Sequence, residues 1–288
     1  MQKKNICFLV VLYNKSIEKS KTLDCLFNIN DHHFVCDIVN NGPNAIFFEP
    51  NTNVNKNAKF NFIQHIENRP LSVIYNQFIS RNSSCSRYVI LDDDSSLDFN
   101  FIERVFSNEN YDLELPKILD QNSNLVFPII DMKPIDIDTT SLRIDKHVLL
   151  SIGSGLILSN NLIKVIKSQG QDVFDTSFSL YGVDTSLFLR LRKYDIQNIS
   201  ITSFSSLNHD LSLHNDQVSE FKIRELYISC ALQARRYPQA FTLLRFMKAI
   251  LKLMRMRRYN LIKIMVFSYF RGVHVNSEKY ISTNHDLG

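Results

Sequence analysis

Glycine is scarce in this chain, with seven in 288 residues. A nucleotide site built on a glycine-rich loop is therefore not expected. The one G-x-G, Gly153 and Gly155, has Leu158 where a dinucleotide fingerprint needs its third glycine, and no G-x-x-x-x-G-K occurs. H-E-x-x-H and G-x-S-x-G are also missing, which removes the commonest zinc-protease and serine-hydrolase signatures. The five cysteines (7, 25, 36, 85, 230) are odd in number and include no C-x-x-C pair. That pattern argues against a disulfide framework or a zinc ribbon and fits a reducing compartment. No stretch reaches the roughly 18 uncharged apolar residues of a membrane span. Lys3 and Lys4 ahead of the apolar run 6–13 faintly resemble a signal peptide. Asn14 and Lys15 follow at once with no small-residue cleavage site, so the run reads as a buried first strand and the chain is expected in the cytosol.

What remains has globular composition, 44% hydrophobic and 22% charged, which excludes wholesale disorder. The length suits one large α/β domain or a domain with an appendage. The net charge of +4 hides an asymmetry. Residues 222–272 hold twelve Lys/Arg against the single Glu225, a balance of +11, and the rest of the chain carries −7. Two surfaces with different tasks are implied: an acidic body at 1–220 and a basic helical segment at 221–288.

Along the chain, strands are expected at 6–13, 34–39 and 88–91, with a short third strand at 46–48 and an Asn-rich loop at 51–61. Helices are expected at 16–26, 72–81 and 99–106. Strands alternating with helices predict a parallel, doubly wound core, in which ligands sit beyond the carboxyl ends of the strands. That selects loops 13–15, 40–44 and 92–95. Further on, 125–130, 149–158 and 196–204 read as strand-like and 185–193 as a helix. From 221 the pattern is mainly helical. Arg245, Lys248, Lys252 and Arg255 recur at steps of three and four as one basic stripe, with Leu243, Leu244, Met247, Ile250, Leu251 and Met254 opposite. Such a helix either lies on an anionic membrane or packs on the catalytic domain with its charges in water.

The sharpest chemical signal is Asp92-Asp93-Asp94 at the end of an apolar strand. Three adjacent carboxylates repel unless a cation neutralises them, and an oxygen-only set suits Mg²⁺ or Mn²⁺. Alternation along extended chain would point Asp92 and Asp94 the same way. The competing reading makes the triplet a turn or a helix cap.

Read together, these segments resemble glycosyltransferase family 2, of GT-A fold, and within it the rhamnosyltransferase-like enzymes of bacterial surface-polysaccharide (O-antigen or capsule) synthesis. The resemblance covers about residues 5–215. VVLYN (10–14) looks like the family's first strand and donor-contacting turn, placing Tyr13 and Asn14 at the donor. IVNNGPN (38–44) stands in the place of its V-D-N-G-S turn, and ENRPLSVIYNQFI (67–79) is similar to its N-x-G-x-x-x-A-x-N segment, matching Asn68 and Asn76. YVILDDDS (88–95) matches the metal motif, IGSGLILS (152–159) looks like the acceptor-side strand with Ser154 and Gly155, and LNHD (207–210) resembles the later histidine segment. YGVDTSLFLRLRK (181–193) resembles the E-D-x-D/S segment, with Asp184 in the place of the catalytic base. Three positions depart from the pattern. Asn40 replaces the usual base-binding aspartate, Pro70 a glycine, and Val183 the acid before the base.

The resemblance implies an inverting transferase. Asp92 and Asp94, with His209, would hold Mg²⁺ or Mn²⁺; Tyr13, Asn14, Asn40, Asn68, Asn76, Asp92 and Asp93 would bind the nucleotide-sugar donor, from dTDP-rhamnose to a UDP-hexose. Ser154 and Gly155 would line the acceptor side. The acceptor would be a lipid-linked oligosaccharide at the inner face of a bacterial membrane, with the basic C-terminal helices on that anionic surface. Asp184 reads alternatively as a helix N-cap, and His214 competes with His209. Two other functions stay open: a nucleotidyltransferase-like metal enzyme, and a non-catalytic protein binding a membrane or an acidic partner. Nucleic acid is not expected, because no recognised module is present and the acidic body would repel it.

Overall fold

The computed structural model describes residues 5–48, 57–120, 122–136, 147–194, 196, 199–208 and 219–282. Contacts divide the chain into two units. The first comprises 1–68, 77–171 and 195–211, the second 69–76, 172–194 and 212–288.

The first unit is built on a seven-stranded sheet. Its strands are β1 (Ile6–Leu12), β2 (Phe34–Asn40), β3 (Ala58–Gln64), β4 (Arg87–Asp92), β5 (Leu113–Glu114), β6 (Ile157–Ser159) and β7 (Ile201–Thr202). The order across the sheet is β3-β2-β1-β4-β6-β5-β7. All run parallel except β6, which is antiparallel to both β4 and β5. β1 is paired on both edges by parallel neighbours, and all seven residues of ICFLVVL are buried, the composition of a strand in a parallel sheet covered on both faces. Ile6, Phe8, Val10 and Leu12 share one core with Leu23, Leu26, Phe34, Ile38 and Phe101, where Phe8 meets Phe34 edge-on at 5.1 Å. Truncation of a ring buried like Phe8 costs about 3–5 kcal/mol. Helices α1 (Lys21–Phe27), α2 (Leu71–Arg81), α3 (Phe99–Phe106) and α4 (Asn160–Ser168) follow strands, and Ser20, Asp98 and Ser159 cap α1, α3 and α4. This mixed α/β architecture, a mostly parallel central sheet with flanking helices, is the fold class that the sequence implies.

Several local expectations are corrected. Residues 46–48 form no strand; the third strand is β3, inside the segment read as mostly loop. Ala58, Phe60 and Phe62 alternate with Lys59 and Asn61 and pack against the core, a strand signal that the asparagine-rich run before it obscured. The helix expected at 16–26 is interrupted: a short 3₁₀ turn, Ile17–Lys19, precedes α1. Pro128 splits 125–130 into two short strands, and among the described residues of 196–204 strand occurs at β7 with a bridge at Ser203.

The second unit holds α5 (Val183–Lys193), α6 (Glu220–Arg236), α7 (Ala240–Arg255) and α8 (Tyr259–Arg271). Cys230, Ala231, Leu253, Leu261 and Met265 form the core shared by α6, α7 and α8. Phe246 in the first half of α7 stacks on Tyr269 near the end of α8 at 5.1 Å, so the chain doubles back between the two helices. No helix among the described residues is long and apolar enough to cross a membrane.

Candidate functional site

The register of the sheet brings four strand ends to one edge. Leu12 pairs with Asn40, Asn40 with Gln64, and Val11 with Asp92, so the loops after β1, β2, β3 and β4 leave together. That is the carboxyl edge, where parallel sheets bind ligands.

The acidic turn is held by its main chain. Thr22 Oγ1 donates to the Asp92 carbonyl at 2.6 Å and accepts from the Ser95 N–H at 3.0 Å, while Ser20 Oγ donates to the Asp93 carbonyl at 2.9 Å. Ser154 Oγ accepts from the Asp92 N–H at 3.1 Å and lies 2.7 Å from Ser95 Oγ. All four hydroxyl residues are almost fully buried. A buried hydroxyl hydrogen bond is worth about 0.5–1.5 kcal/mol net, so this set fixes the turn's shape without using a carboxylate. The three acids are each partly exposed. Lys15 Nζ lies 2.5 Å from Asp93 Oδ1, which neutralises the middle acid. Burial pushes the Asp93 carboxyl above its usual range; Lys15 and the Tyr13 backbone N–H pull the other way, and the Asp94 charge adds to the rise.

Asparagines dominate the neighbouring loops. Asn14 and Asn68 are exposed and adopt left-handed backbone (φ 51° and 53°), which asparagine tolerates better than most residues. The Asn14 N–H donates to the Gly42 carbonyl at 2.7 Å, and Asn41 Nδ2 donates to Asn68 Oδ1 at 3.2 Å. Tyr13 is 54% exposed, so its ring is not core packing. Asn40 is buried, and its amide is spent on its own turn: Nδ2 donates to the Asn44 carbonyl and Gln64 Oε1, and Oδ1 accepts from the Gly42 N–H. The Asn40 amide is thus engaged within the protein. Ser154 has the same character through its bonds to Asp92 and Ser95. Gly155 takes φ +85°, and a Cβ there would meet Leu207 Cδ1 at 2.4 Å and Pro116 Cγ at 2.6 Å.

In the second unit, the Asn76 amide grips the backbone of Phe174 on both sides, Nδ2 to its carbonyl at 2.8 Å and Oδ1 from its N–H at 3.0 Å. Asp184 sits in the first turn of α5, and its Oδ1 accepts from the Thr185 N–H at 2.7 Å. The N-cap is Gly182, at φ +87°, so the N-cap alternative for Asp184 is corrected. Further along α5, Arg190 joins a cluster that motif reading misses. Asp175, buried, accepts from Tyr237 OH at 2.8 Å and the Ser177 N–H at 2.9 Å, with Arg236 at 3.3 Å and Arg190 at 3.4 Å. Burial alone would raise Asp175, but Arg236 and Arg190 hold its carboxyl below the ordinary range. His209 and its competitor His214 lie outside the described residues.

Among the described residues no group of three or more His, Cys, Asp or Glu side chains is arranged as a cation site. The turn's donor set still fits a hard divalent ion that takes one or two carboxylates and fills its remaining positions with substrate and water oxygens. A cavity of about 440 Å³ lies at the opposite end of β4, beside Arg87, Tyr111 and Asp112. There the Arg87 guanidinium donates to the carbonyls of Arg104, Val105 and Ser107, closing the last turn of α3.

No protein-family model matches the chain, and no curated protein sequence does. Solved structures similar to it exist. Staphylococcus aureus TarS, residues 1–349, is 13% identical with a TM-score of 0.48, covering 94% of this chain and 93% of that one. A longer TarS structure is 13% identical with a TM-score of 0.46 over 80% of this chain, which spans 43% of the TarS length. GalNAc-T7, solved with UDP, GalNAc and Mn²⁺, is 8% identical with a TM-score of 0.48, covering 82% of this chain and 50% of that one.

Sequence reasoning missed Lys15, Ser20 and Thr22. A lysine in the loop three residues after an apolar strand, with Ser and Thr opening the next helix, is the signal that was there to read, because the strand-end acids need a counter-charge and donors.

Proposed function

We propose that the protein is an inverting glycosyltransferase that moves a sugar from a nucleoside diphosphate to an acceptor hydroxyl. The acidic turn carries this reading: three carboxylates at the carboxyl edge of a parallel sheet, with the main chain locked by buried hydroxyls and the middle acid neutralised by Lys15.

Asp92 and Asp94 would hold Mg²⁺ or Mn²⁺, joined by His209. When bound, such an ion neutralises charge on the departing diphosphate. The chain's own residues do the rest. Tyr13 offers an exposed ring to stack on the nucleobase, and Asn14 and Asn68 offer exposed amides to the nucleoside. Asn40 and Ser154 keep the 40–44 and 92–95 loops in shape, and Gly155 permits the close packing behind them. Asn76 holds the 174 segment. Asp184, by the family resemblance, accepts the proton of the attacking hydroxyl as the new C–O bond forms at the anomeric carbon and the sugar–phosphate bond breaks. The electron pair leaves with the nucleoside diphosphate. A positioned carboxylate base contributes about 10²–10⁴-fold.

The donor class is dTDP-rhamnose or a UDP-hexose. The acceptor is a lipid-linked oligosaccharide of bacterial surface-polysaccharide synthesis, met at the anionic inner face of the membrane.

A nucleotide-sugar panel read by thermal shift, with and without Mn²⁺, tests the proposal. One donor should raise the melting temperature in a metal-dependent way and be hydrolysed slowly. Equal indifference to all donors, with or without metal, would falsify it.

A further inference from the structure

The α7 helix carries three stripes rather than two. At 100° per residue, Thr242, Phe246, Ala249, Ile250 and Leu253 share one side; Thr242 is buried and the other four pack on the α6–α8 core. Arg245, Lys248, Lys252 and Arg255 share another and are exposed. Between them run Leu243, Leu244, Met247, Leu251 and Met254, 38–59% exposed. Of the apolar set that the sequence places opposite the charges, only Ile250 packs on the core, and the rest is in solvent. On α8, Tyr259, Val266, Phe267 and Phe270 are also exposed, Phe270 at 76%, with Lys263 among them.

We infer that the α7–α8 hairpin docks in the plane of an anionic lipid bilayer, with the Leu243–Met254 strip in the hydrocarbon boundary and the adjoining cations on the headgroups. Exposed leucine, methionine and phenylalanine at this density mark an interaction surface. Charge selects the partner. Residues 240–272 contain eight Lys/Arg and no acid. Arg258 and Arg271 pair with Glu220 and Glu278, whereas Lys248, Lys252, Arg255, Arg257 and Lys263 form no ion pair with a described residue. Two copies meeting through this face would bring two acid-free cationic stripes together, which disfavours a homodimer. A bilayer accepts both features, because long Lys and Arg stems lie along the apolar surface while their heads stay among lipid phosphates. The α7 helix is about 24 Å long and interrupted by charges on one side, so it lies on the membrane rather than through it.

This inference rests on the part of the proposed function that puts the acceptor at a membrane, and its test uses no sugar nucleotide. The full-length protein is sedimented with vesicles of phosphatidylcholine alone or with a minority of phosphatidylglycerol. Binding to the anionic vesicles should be about tenfold or more stronger. The Met247→Asp, Leu251→Asp double variant should lose binding at every salt concentration, and the Lys248→Gln, Lys252→Gln variant only its salt-sensitive share. All these positions are exposed, and unchanged circular-dichroism melts confirm folding. Failure to sediment at low salt overturns the inference, as does full binding by the Asp variant. So does a wild-type dimer that the Asp variant dissociates without any vesicle binding. Donor hydrolysis measured without vesicles should be unchanged in both variants. A wild type that hydrolyses donor yet fails to dock overturns the docking alone, and docking without any nucleotide-sugar response overturns the transferase reading alone.

Discussion

Lys15, three residues past the end of the first strand, holds Asp93 at 2.5 Å across the carboxyl edge of the sheet. The middle acid of the triplet thus has its counter-charge supplied by the protein. Asp92 and Asp94 are therefore the metal candidates, and the three aspartates should not behave alike. Asp93→Asn should keep a Mn²⁺-dependent rise in melting temperature, while Asp92→Asn and Asp94→Asn should each lose it, since a ligand stabilises only what it binds. Equal loss in all three variants would remove the distinction. Lys15→Met should cost about 1 kcal/mol, as expected of a partly exposed pair.

The hydroxyls behind the turn predict a second effect. Thr22→Val keeps the shape of the side chain but strips the Asp92 carbonyl and the Ser95 N–H of a partner in a buried setting. Urea unfolding should show a loss of about 1–3 kcal/mol. Turnover should fall as well, although Thr22 touches no substrate in the proposed scheme. A variant as stable as the wild type would show that the turn holds itself.

Asp184→Asn separates catalysis from binding. Donor-induced thermal stabilisation should survive and turnover should drop about 10²–10⁴-fold. A variant with undiminished turnover would exclude Asp184 as the base.

Gly182 tests the same region through the backbone. Its φ of +87° is one that L side chains rarely adopt, and a Cβ there would lie 2.2 Å from Ser229 Oγ and 3.1 Å from Phe178 Cδ1. Gly182→Ala should destabilise by more than about 1 kcal/mol. Adding Ser229→Gly should recover the steric part and leave the conformational part. Full recovery in calorimetry would mean that the backbone conformation costs nothing.

Asp175 predicts a pH dependence. Its folded carboxyl is held below the ordinary range by Arg236 and Arg190. The stability it contributes is present above the unfolded carboxylate value, about 3.9, and is lost as pH falls through the depressed folded value. Asp175→Asn leaves Arg190, itself buried, without its carboxylate and should cost about 3–5 kcal/mol near neutrality. The gap between wild type and variant should narrow as the pH drops below 4. A gap that does not change with pH would mean that the carboxyl is not the source.

The sheet was legible where strands are buried on both faces, as in β1, β2 and β4, because unbroken apolar runs leave little alternative. β3 was not, although Ala58, Phe60 and Phe62 alternate with Lys59 and Asn61, because it continues directly from the asparagine-rich run before it. The α3 helix was read at its true ends because Asp98 and Phe99 mark a cap and an apolar face. The α4 helix passed unnoticed, although Ser159 caps it and Leu162, Ile163 and Ile166 recur at helical spacing. At the site, residue types identified the acidic turn but not the division of labour within it. Whether an asparagine meets a ligand or the protein's own backbone depends on which groups surround it: Asn40 turns onto its own loop, whereas Asn76 meets Phe174 from a distant part of the chain. The amphipathic stripe on α7 was visible, but which third of the helix is covered is decided by α6 and α8.

The second unit is assembled from three separate stretches of chain, and that governs how the gene can be shortened. A stop codon after residue 220 would seem to delete only a cationic tail. It would also remove Ser229 and Gln233, which lie against Gly182, and Arg236 and Tyr237, which satisfy Asp175. The remnant would keep its sheet yet present a raw, unsheathed α5 to solvent, and we expect it to be recovered from cells as inclusion bodies.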